Sequence, residues 1–338
     1  MKEVFSMRRR SGHVVVSTTQ GESVQAYVPD DLPPRNPPLA PEFFAPLNHQ
    51  AELALARLAG VAGLVPSVDW LLYSAIRKEA LLTSQIEGTQ ATLMDLFNEE
   101  AGFATDKGED VEEVSNYLRA FRHVQQNMRD PKGLPLSVRL LCQAHELLLE
   151  GARGAGKQPG TLRRSQNWIG GTRPGNAAFV PPPADRVVPL LSALERFIHE
   201  PAEGLPPLVK IALVHAQFET IHPFLDGNGR IGRLLIAALL EHWGLLRAPL
   251  MYLSGYLKRH QAEYYQRLSR TRGEGDWEGW VAFFLEGVVT AAEDAERSII
   301  AIAALIAEDR RRLLAHPKAS SASYRLFERL PMMPRFTI

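Results

Sequence analysis

From residue 46 onward, apolar side chains recur at helical spacing. The pattern predicts helices at about 46–60, 67–98, 110–129, 136–151, 186–199, 205–220, 227–243, 256–272 and 276–316. The clearest stripe is Ile231, Leu234, Leu235, Ala238 and Leu239, spaced i, i+3, i+4, i+7, i+8, which buries one face of its helix. Ser67 is placed to cap the second helix. Before residue 46 the pattern changes. His13 to Ser17 and on to Tyr27 alternates in the manner of a short hairpin. Seven prolines then fall among the 18 residues from Pro29 to Pro46, so that stretch is expected to be an extended arm on a surface. Residues 151–183 interrupt the helices with glycines and prolines. Within them, Gln166–Gly171 and Ala177–Val180 are expected to pair across a Gly171–Asn176 turn. No internal repeat or low-complexity tract is present.

Composition narrows the setting. The 338 residues suffice for about two domains, with 45% hydrophobic and 22% charged side chains. Thirty-eight basic residues balance 38 acidic ones, which argues against a globally basic nucleic-acid binder and against an acidic disordered tail. The single cysteine, Cys142, excludes an internal disulfide framework and fits a reducing cytosol. The longest apolar stretch, Ile299 to Ala307, is about half of what crosses a bilayer. Arg8, Arg9 and Arg10 are not followed by the apolar run of a signal peptide. These features describe a helical protein of the cytoplasm with no membrane partner.

Two segments carry candidate chemistry. Gly151 to Gln158 nearly spells the phosphate loop G-x-x-x-x-G-K-[ST], but Gln158 stands where a hydroxyl must ligate Mg²⁺. A helix precedes it and Pro159 follows, the reverse of what that loop needs, so it reads as a turn. The segment from His222 to Arg233 is different. Gly227, Asn228 and Gly229 open a helix, where bare backbone N–H groups and the helix dipole favour phosphate oxygens. Arg230 and Arg233 lie three apart, on neighbouring positions of one helical face, and their planar guanidiniums suit phosphate. Asp226 is a hard oxygen ligand suited to Mg²⁺. His222 titrates near neutrality and serves as the candidate general base. An anion cradle, a metal ligand and a base within 12 residues point to transfer of a phosphate-containing group from a nucleotide.

This string also resembles H-x-F-x-[DE]-G-N-G-R-x-x-R, the signature of the Fic family. Its eight specified positions recur by chance with odds on the order of 10⁻⁸ in a chain this long. The likeness extends from about Pro29 to about Val288. Arg77 to Thr89 resembles the N-terminal helix of one class of Fic proteins, and Asn167–Gly171 with Ala178–Pro183 resembles the family's flap hairpin. Tyr252–Tyr256 and Tyr264–Leu268 resemble the segments after the signature helix.

The resemblance implies an all-α fold, a Fic-type helical core with a small β-hairpin flap. It implies transfer of AMP from ATP to a hydroxyl of a protein, with release of pyrophosphate. On this reading His222 takes the hydroxyl proton, Asp226 holds Mg²⁺, and Gly227, Asn228 and Gly229 form the anion hole. Arg230 faces the departing pyrophosphate and Arg233 the γ-phosphate. Gln217, Arg259 and Tyr265 are further candidates for the nucleotide pocket. Ile169 and Gly170 on the flap are expected to dock the target by strand addition. Thr83 to Gly88 fits the inhibitory pattern [ST]-x-x-x-E-[GN], whose glutamate, here Glu87, pairs with the second signature arginine.

The expected organisation is an N-terminal arm (1–45), a helical region with the inhibitory helix (46–130), a catalytic core (131–290) and a C-terminal portion (291–338). Ser320 to Leu330 reads as a short capped helix and resembles the opening of a winged-helix module, a partial stub here. Specific nucleic-acid binding is not expected of it. The expected partner is a protein carrying a Ser, Thr or Tyr hydroxyl, or the chain itself, and homodimerisation is open. The alternatives are another nucleotide donor on the same fold, removal of AMP by way of Glu87, or a nucleotide-sensing transcriptional regulator.

Overall fold

The computed structural model describes residues 9–333 apart from 66, 104–105, 152–153, 155 and 202–203. Arg8, part of the 151–158 turn and the end of the winged-helix-like stub at 334–338 lie outside the described residues. A hairpin of β1 (Gly12–Thr19) and β2 (Glu22–Pro29) comes first. It is followed by α1 (Ala45–Val61), α2 (Val68–Ile86), α3 (Leu93–Glu100), α4 (Gly108–Arg129), α5 (Val138–Leu148) and α6 (Ala184–His199). The chain continues through α7 (Pro207–Ile221), α8 (Asn228–His242), α9 (Ser254–Arg259), α10 (Gln261–Glu274), α11 (Trp277–Ala315) and α12 (Ser321–Arg329).

Burial explains the layout. Every residue of α7 from Leu208 to Ile221 is buried, so this helix is enclosed on all sides and forms the axis of the core. It packs against α6, α8 and α11, and the Trp280 indole donates to the Ala212 carbonyl at 2.8 Å. On α8 the predicted stripe is buried throughout, with Ile231, Leu234 and Leu239 at zero exposure. Truncating any of these to alanine is expected to cost about 2–5 kcal/mol, which fixes the rotation of α8 about its axis. The consequence for the site is direct: the junction of α7 and α8 is held rigid from both sides.

Two long predicted helices are each broken. The expected 67–98 helix is α2 and α3, separated by a turn in which Gly88 adopts φ +103°. Thr92 restarts the helix with a capping box to Asp95. Apolar spacing continues across this turn, so periodicity reads through it. The expected 256–272 helix is likewise α9 and α10, separated at His260. Ser67 caps α2 as expected, accepting from the Asp69 amide at 3.2 Å.

The hairpin pairs Gly12 with Pro29 through Thr19 with Glu22, turning at Gln20 and Gly21, both at positive φ. The proline stretch beyond it is pinned to the start of α11. Arg9 donates to the carbonyls of Pro37 and Pro38 and forms two bonds to the Glu278 carboxylate, at 2.7 and 2.6 Å. The pairing expected of Gln166–Gly171 with Ala177–Val180 is reduced to one antiparallel bridge, Ile169 with Phe179, closed by a 3-10 turn at Pro174–Asn176. The near-match at 151–158 is a turn in its described part, where the Lys157 amide donates to the Gly154 carbonyl. α12 forms with Ser320 as its cap. No helix among the described residues is long and apolar enough to cross a membrane.

Candidate active site

α7 ends on His222, which adopts a left-handed φ of +50° as the C-cap, and α8 begins after Gly227 at φ +75°. Between them lies a loop stapled by Asn228. Its Oδ1 accepts from the Phe224 amide and its Nδ2 donates to the Phe224 carbonyl, both at 2.8 Å. The Asn228 side chain is thereby consumed by the loop, and its contribution to an anion hole is the backbone N–H at the start of α8. Gly227 is required twice over. Its φ is left-handed, and a Cβ there would lie 3.2 Å from Leu148 and 3.4 Å from the His145 ring. The Asp226 carboxylate accepts from the Gly227 amide at 2.6 Å and is half exposed at the mouth.

The two arginines differ in their partners. Arg230 is buried, with Glu113 at 3.6 Å and Asp226 at 3.8 Å, and its Nε has no hydrogen-bond partner among the described residues. Arg233 is buried and fully engaged. Its Nε donates to the Thr83 hydroxyl at 2.6 Å, and its Nη2 donates to the Thr83 carbonyl at 3.1 Å and to Glu87 at 2.5 Å. Burial alone would lower the Arg233 guanidinium; the opposing charge of Glu87 in particular holds it above its ordinary value. Gly229 makes the ion pair possible, because a Cβ there would fall 2.3 Å from the Glu87 carboxylate.

Protonation follows from burial. The His222 imidazole is pushed down to about 4, by burial first and then by the Arg163 charge, so it is neutral and able to accept a proton at pH 7. Behind it, His145 stacks on Phe224 at 3.8 Å, with the rings 8° from parallel. The Gly160 amide donates to its Nδ1, which leaves the proton on Nε2 to donate to the Asp226 carbonyl at 3.0 Å. Burial holds this ring at about 4 as well. His215 braces α8 in the same manner, with Nδ1 on the Gly232 carbonyl and Nε2 on the Tyr264 hydroxyl.

Residues 45–126 match the Fic/DOC family N-terminal profile, and residues 135–240 match the Fic/DOC family profile; together these spans take in more than half of the chain. The chain belongs to the Fic/DOC family. It is similar to the protein adenylyltransferase Fic of Drosophila yakuba, 32% identical over 128 residues, covering 38% of this chain and 23% of that one. A probable protein adenylyltransferase of Aquifex aeolicus is 29% identical over 184 residues, covering 54% and 52%. The chain therefore spans about a quarter and about half of the lengths of these two relatives. The crystal structure of a Fic family protein from Desulfovibrio desulfuricans superposes with a TM-score of 0.65 at 25% identity, covering 86% of this chain and 84% of that one. The helical architecture that the resemblance implied is the one found.

Within this Fic fold the expected site residues divide. His222, Asp226, Gly227, Asn228, Gly229, Arg230 and Arg233 sit on one loop and helix start, and Glu87 reaches them from the end of α2. Tyr265 on α10 packs its ring 5.1 Å from that of Tyr264 and has no described hydrogen bond or ion pair with the signature residues. Gln217 instead donates to the Asp30 carbonyl at 2.9 Å, and Arg259 pairs with Asp294 at 3.2 Å. Neither has a described contact with the signature residues. On the flap, Ile169 spends both backbone groups on Phe179, at 2.8 and 3.1 Å, so the open groups belong to its neighbour Gly170.

Sequence reasoning passed over Arg163. It is fully buried and donates to the carbonyls of His222, Ile221 and Pro182, tying the flap base to the cap of α7. It also passed over Glu219, a buried carboxyl pushed up to about 7 by burial against the opposing charge of Arg233. A Cβ on Gly232 would lie 2.3 Å from its Oε1. Only the one-turn spacing of Glu219 from His222 on α7 could have drawn attention to it.

Proposed function

We propose that this chain transfers AMP from ATP to a hydroxyl side chain of a protein and that Glu87 restrains the reaction. The observation that carries the reading is the pairing of a neutral, half-buried His222 with a buried Arg233 whose ion-pair partner is a carboxylate one-third exposed at a helix end. His222 takes the proton of the target hydroxyl as its oxygen attacks the α-phosphorus. The bond to pyrophosphate breaks, and the products are an AMP–protein phosphodiester and pyrophosphate. The backbone N–H groups of Asn228 and Gly229 at the start of α8, and the Arg230 Nε, which has no partner among the described residues, receive the charge that develops on the phosphates, while the Gly227 N–H is held by Asp226. Asp226, a single half-exposed carboxylate beside the phosphate cradle, fits a Mg²⁺ that retains waters and phosphate oxygens as its other ligands. That ion would supply charge neutralisation at the phosphates. Gln217 donates its Nε2 to the Asp30 carbonyl, with its Oε1 unpartnered among the described residues, and Arg259 pairs with Asp294, so neither supports the nucleotide site through a described contact.

Glu87 occupies on Arg233 the place a γ-phosphate would take, so ATP and Glu87 compete for one guanidinium. The test is label transfer from α-labelled ATP to protein. Glu87→Gly is expected to raise transfer at least about tenfold, and His222→Ala in that background to abolish it, since a positioned general base contributes about 10²–10⁴-fold. Equal transfer by Glu87→Gly and the parent chain would sink the restraint, and full transfer without His222 would sink the mechanism.

A further inference from the structure

The flap of this protein does not rest on the main core. Trp168, Ala177 and Val180 belong to a separate small apolar cluster with Val15, Val24 and Ala26 of the N-terminal hairpin, and Ala26 is completely buried there. The contact includes one main-chain bond. Tyr27 of β2, paired with Val14 on one side, donates its amide on the other to the Val180 carbonyl at 3.0 Å. The 177–180 segment therefore touches β2 through this bond and the 167–170 segment through the isolated Ile169–Phe179 bridge. Polar links fasten both ends. The Ser17 hydroxyl donates to Gln166 at 3.0 Å, and Arg173 pairs with Glu22, whose carboxylate fits only because Gly175 has no Cβ. On the other face, the Arg272 guanidinium stacks over Phe179 at 3.9 Å and the Tyr27 ring lies 6.4 Å away.

A two-stranded ribbon alone is marginally stable in water, and strand addition needs a rigid edge. Here the rear edge of the flap is closed by β2, and its base is tied to the signature loop by Asn167, which donates to the Phe224 and Leu225 carbonyls at 3.3 Å. The Gly170 N–H and C=O form no hydrogen bond among the described residues, so they are the open groups on the front edge.

We propose that the N-terminal hairpin is the fixed rear half of the target-docking surface. It braces the flap from behind through the small apolar cluster and the Tyr27–Val180 bond, and so sets the edge at Gly170 where, on the family resemblance, an extended segment of the target polypeptide adds. The proposal rests on the reading that this chain modifies a protein hydroxyl. It places recognition of the acceptor partly in residues 12–29, which lie outside both matched family spans.

The test uses the full chain in the Glu87→Gly background, with Ala26→Asp to place a charge in the small cluster, Val24→Ala as a milder change, and Val16→Thr as an exposed control. Three quantities are followed: hydrogen exchange at the Ile169 and Phe179 amides, ATP affinity, and AMP transfer to protein. Ala26→Asp is expected to speed exchange of both amides and to lower transfer, each by about tenfold, with ATP affinity unchanged. Val24→Ala is expected to move both in the same direction by less, and Val16→Thr to move neither. Flap exchange equal to that of the parent chain would overturn the proposal, as would ATP affinity falling in step with transfer. If Ala26→Asp unfolds the chain, Val24→Ala decides by the same criteria. A Glu87→Gly chain that transfers no AMP, with exchange still raised by Ala26→Asp, would overturn the functional reading and leave the hold of the hairpin on the flap established.

Discussion

Arg233 enters its ion pair from the interior of α8, with a side chain 2% exposed and bound three times over by Thr83 and Glu87. Glu87 enters from the C-cap of α2, 35% exposed, beside a glycine turn. Coulomb's law treats the two charges alike, but the fold does not. The cation is built into the packed junction of α7 and α8, where removing it also strips two bonds from Thr83. The carboxylate stands at a helix end, where a change of a few dihedral angles withdraws it. The cation is buried and braced, and its anion is left at an edge. On the proposed reading, the doubly charged γ-phosphate of a nucleotide is the competitor for such a site.

The largest test of this asymmetry removes each partner in turn. Arg233→Ala is expected to lower AMP transfer by about 10²–10³-fold in the Glu87→Gly background, because a phosphate-binding cation in a buried site is lost. Glu87→Gly moves transfer in the opposite direction. If the pair served stability alone, both variants would lower the melting temperature and neither would raise transfer.

A smaller change probes the space between them. Gly229→Ala would set a methyl group 2.3 Å from the Glu87 carboxylate and 2.9 Å from Arg233. With Glu87 present, the flexible carboxylate yields and the restraint loosens. Once Glu87 is absent, the same methyl group crowds the phosphate instead. Gly229→Ala is therefore expected to raise transfer in the parent chain and to lower it by about tenfold in the Glu87→Gly background. A shift of the same sign in both backgrounds would show that Gly229 does not stand between the two ligands of Arg233.

The same contrast governs what could be read from the sequence. The segment 222–233 was legible because its chemistry is contiguous: the bare N–H groups and the two arginines are local consequences of neighbouring residues, although the left-handed cap at His222 was not read there. Glu87 was legible only as a pattern ahead of the signature, and nothing local says that it meets an arginine 146 positions away. Arg163 and His145 were silent, since their bonds run 59 and 81 residues along the chain to backbone carbonyls that no side-chain pattern marks. The turn at Gly88 was missed because apolar spacing continues through it, although that turn sets Glu87 at a helix end. The N-terminal alternation gave a hairpin of two eight-residue strands, whereas the glycine-rich flap, also expected to pair, keeps one bridge and borrows its support from that hairpin.

A second carboxyl faces Arg233 from the interior, and it sharpens the comparison at the smallest scale. Glu219 is pushed up to about 7 by burial, with Arg233 and Arg272 opposing and Glu87 adding to the rise. Between its ordinary value near 4.5 and about 7, the folded chain holds this proton while the unfolded chain has released it. Stability from this group is therefore present at low pH and declines as pH rises through that window, becoming level above about 7. The neutral imidazoles of buried His145 and His215 and of half-buried His222 act in the other direction, since the unfolded chain binds protons below about 6.5 that the folded chain refuses. Glu219→Gln leaves those histidines in place and removes only the carboxyl proton. Its melting temperature relative to the parent chain is expected to rise between pH 5 and pH 8, by a few degrees at most. A difference that stays constant across that range would show that Glu219 is ionised in the folded chain throughout, with Arg233 shared permanently between two carboxylates and Glu87 no longer its sole anionic partner.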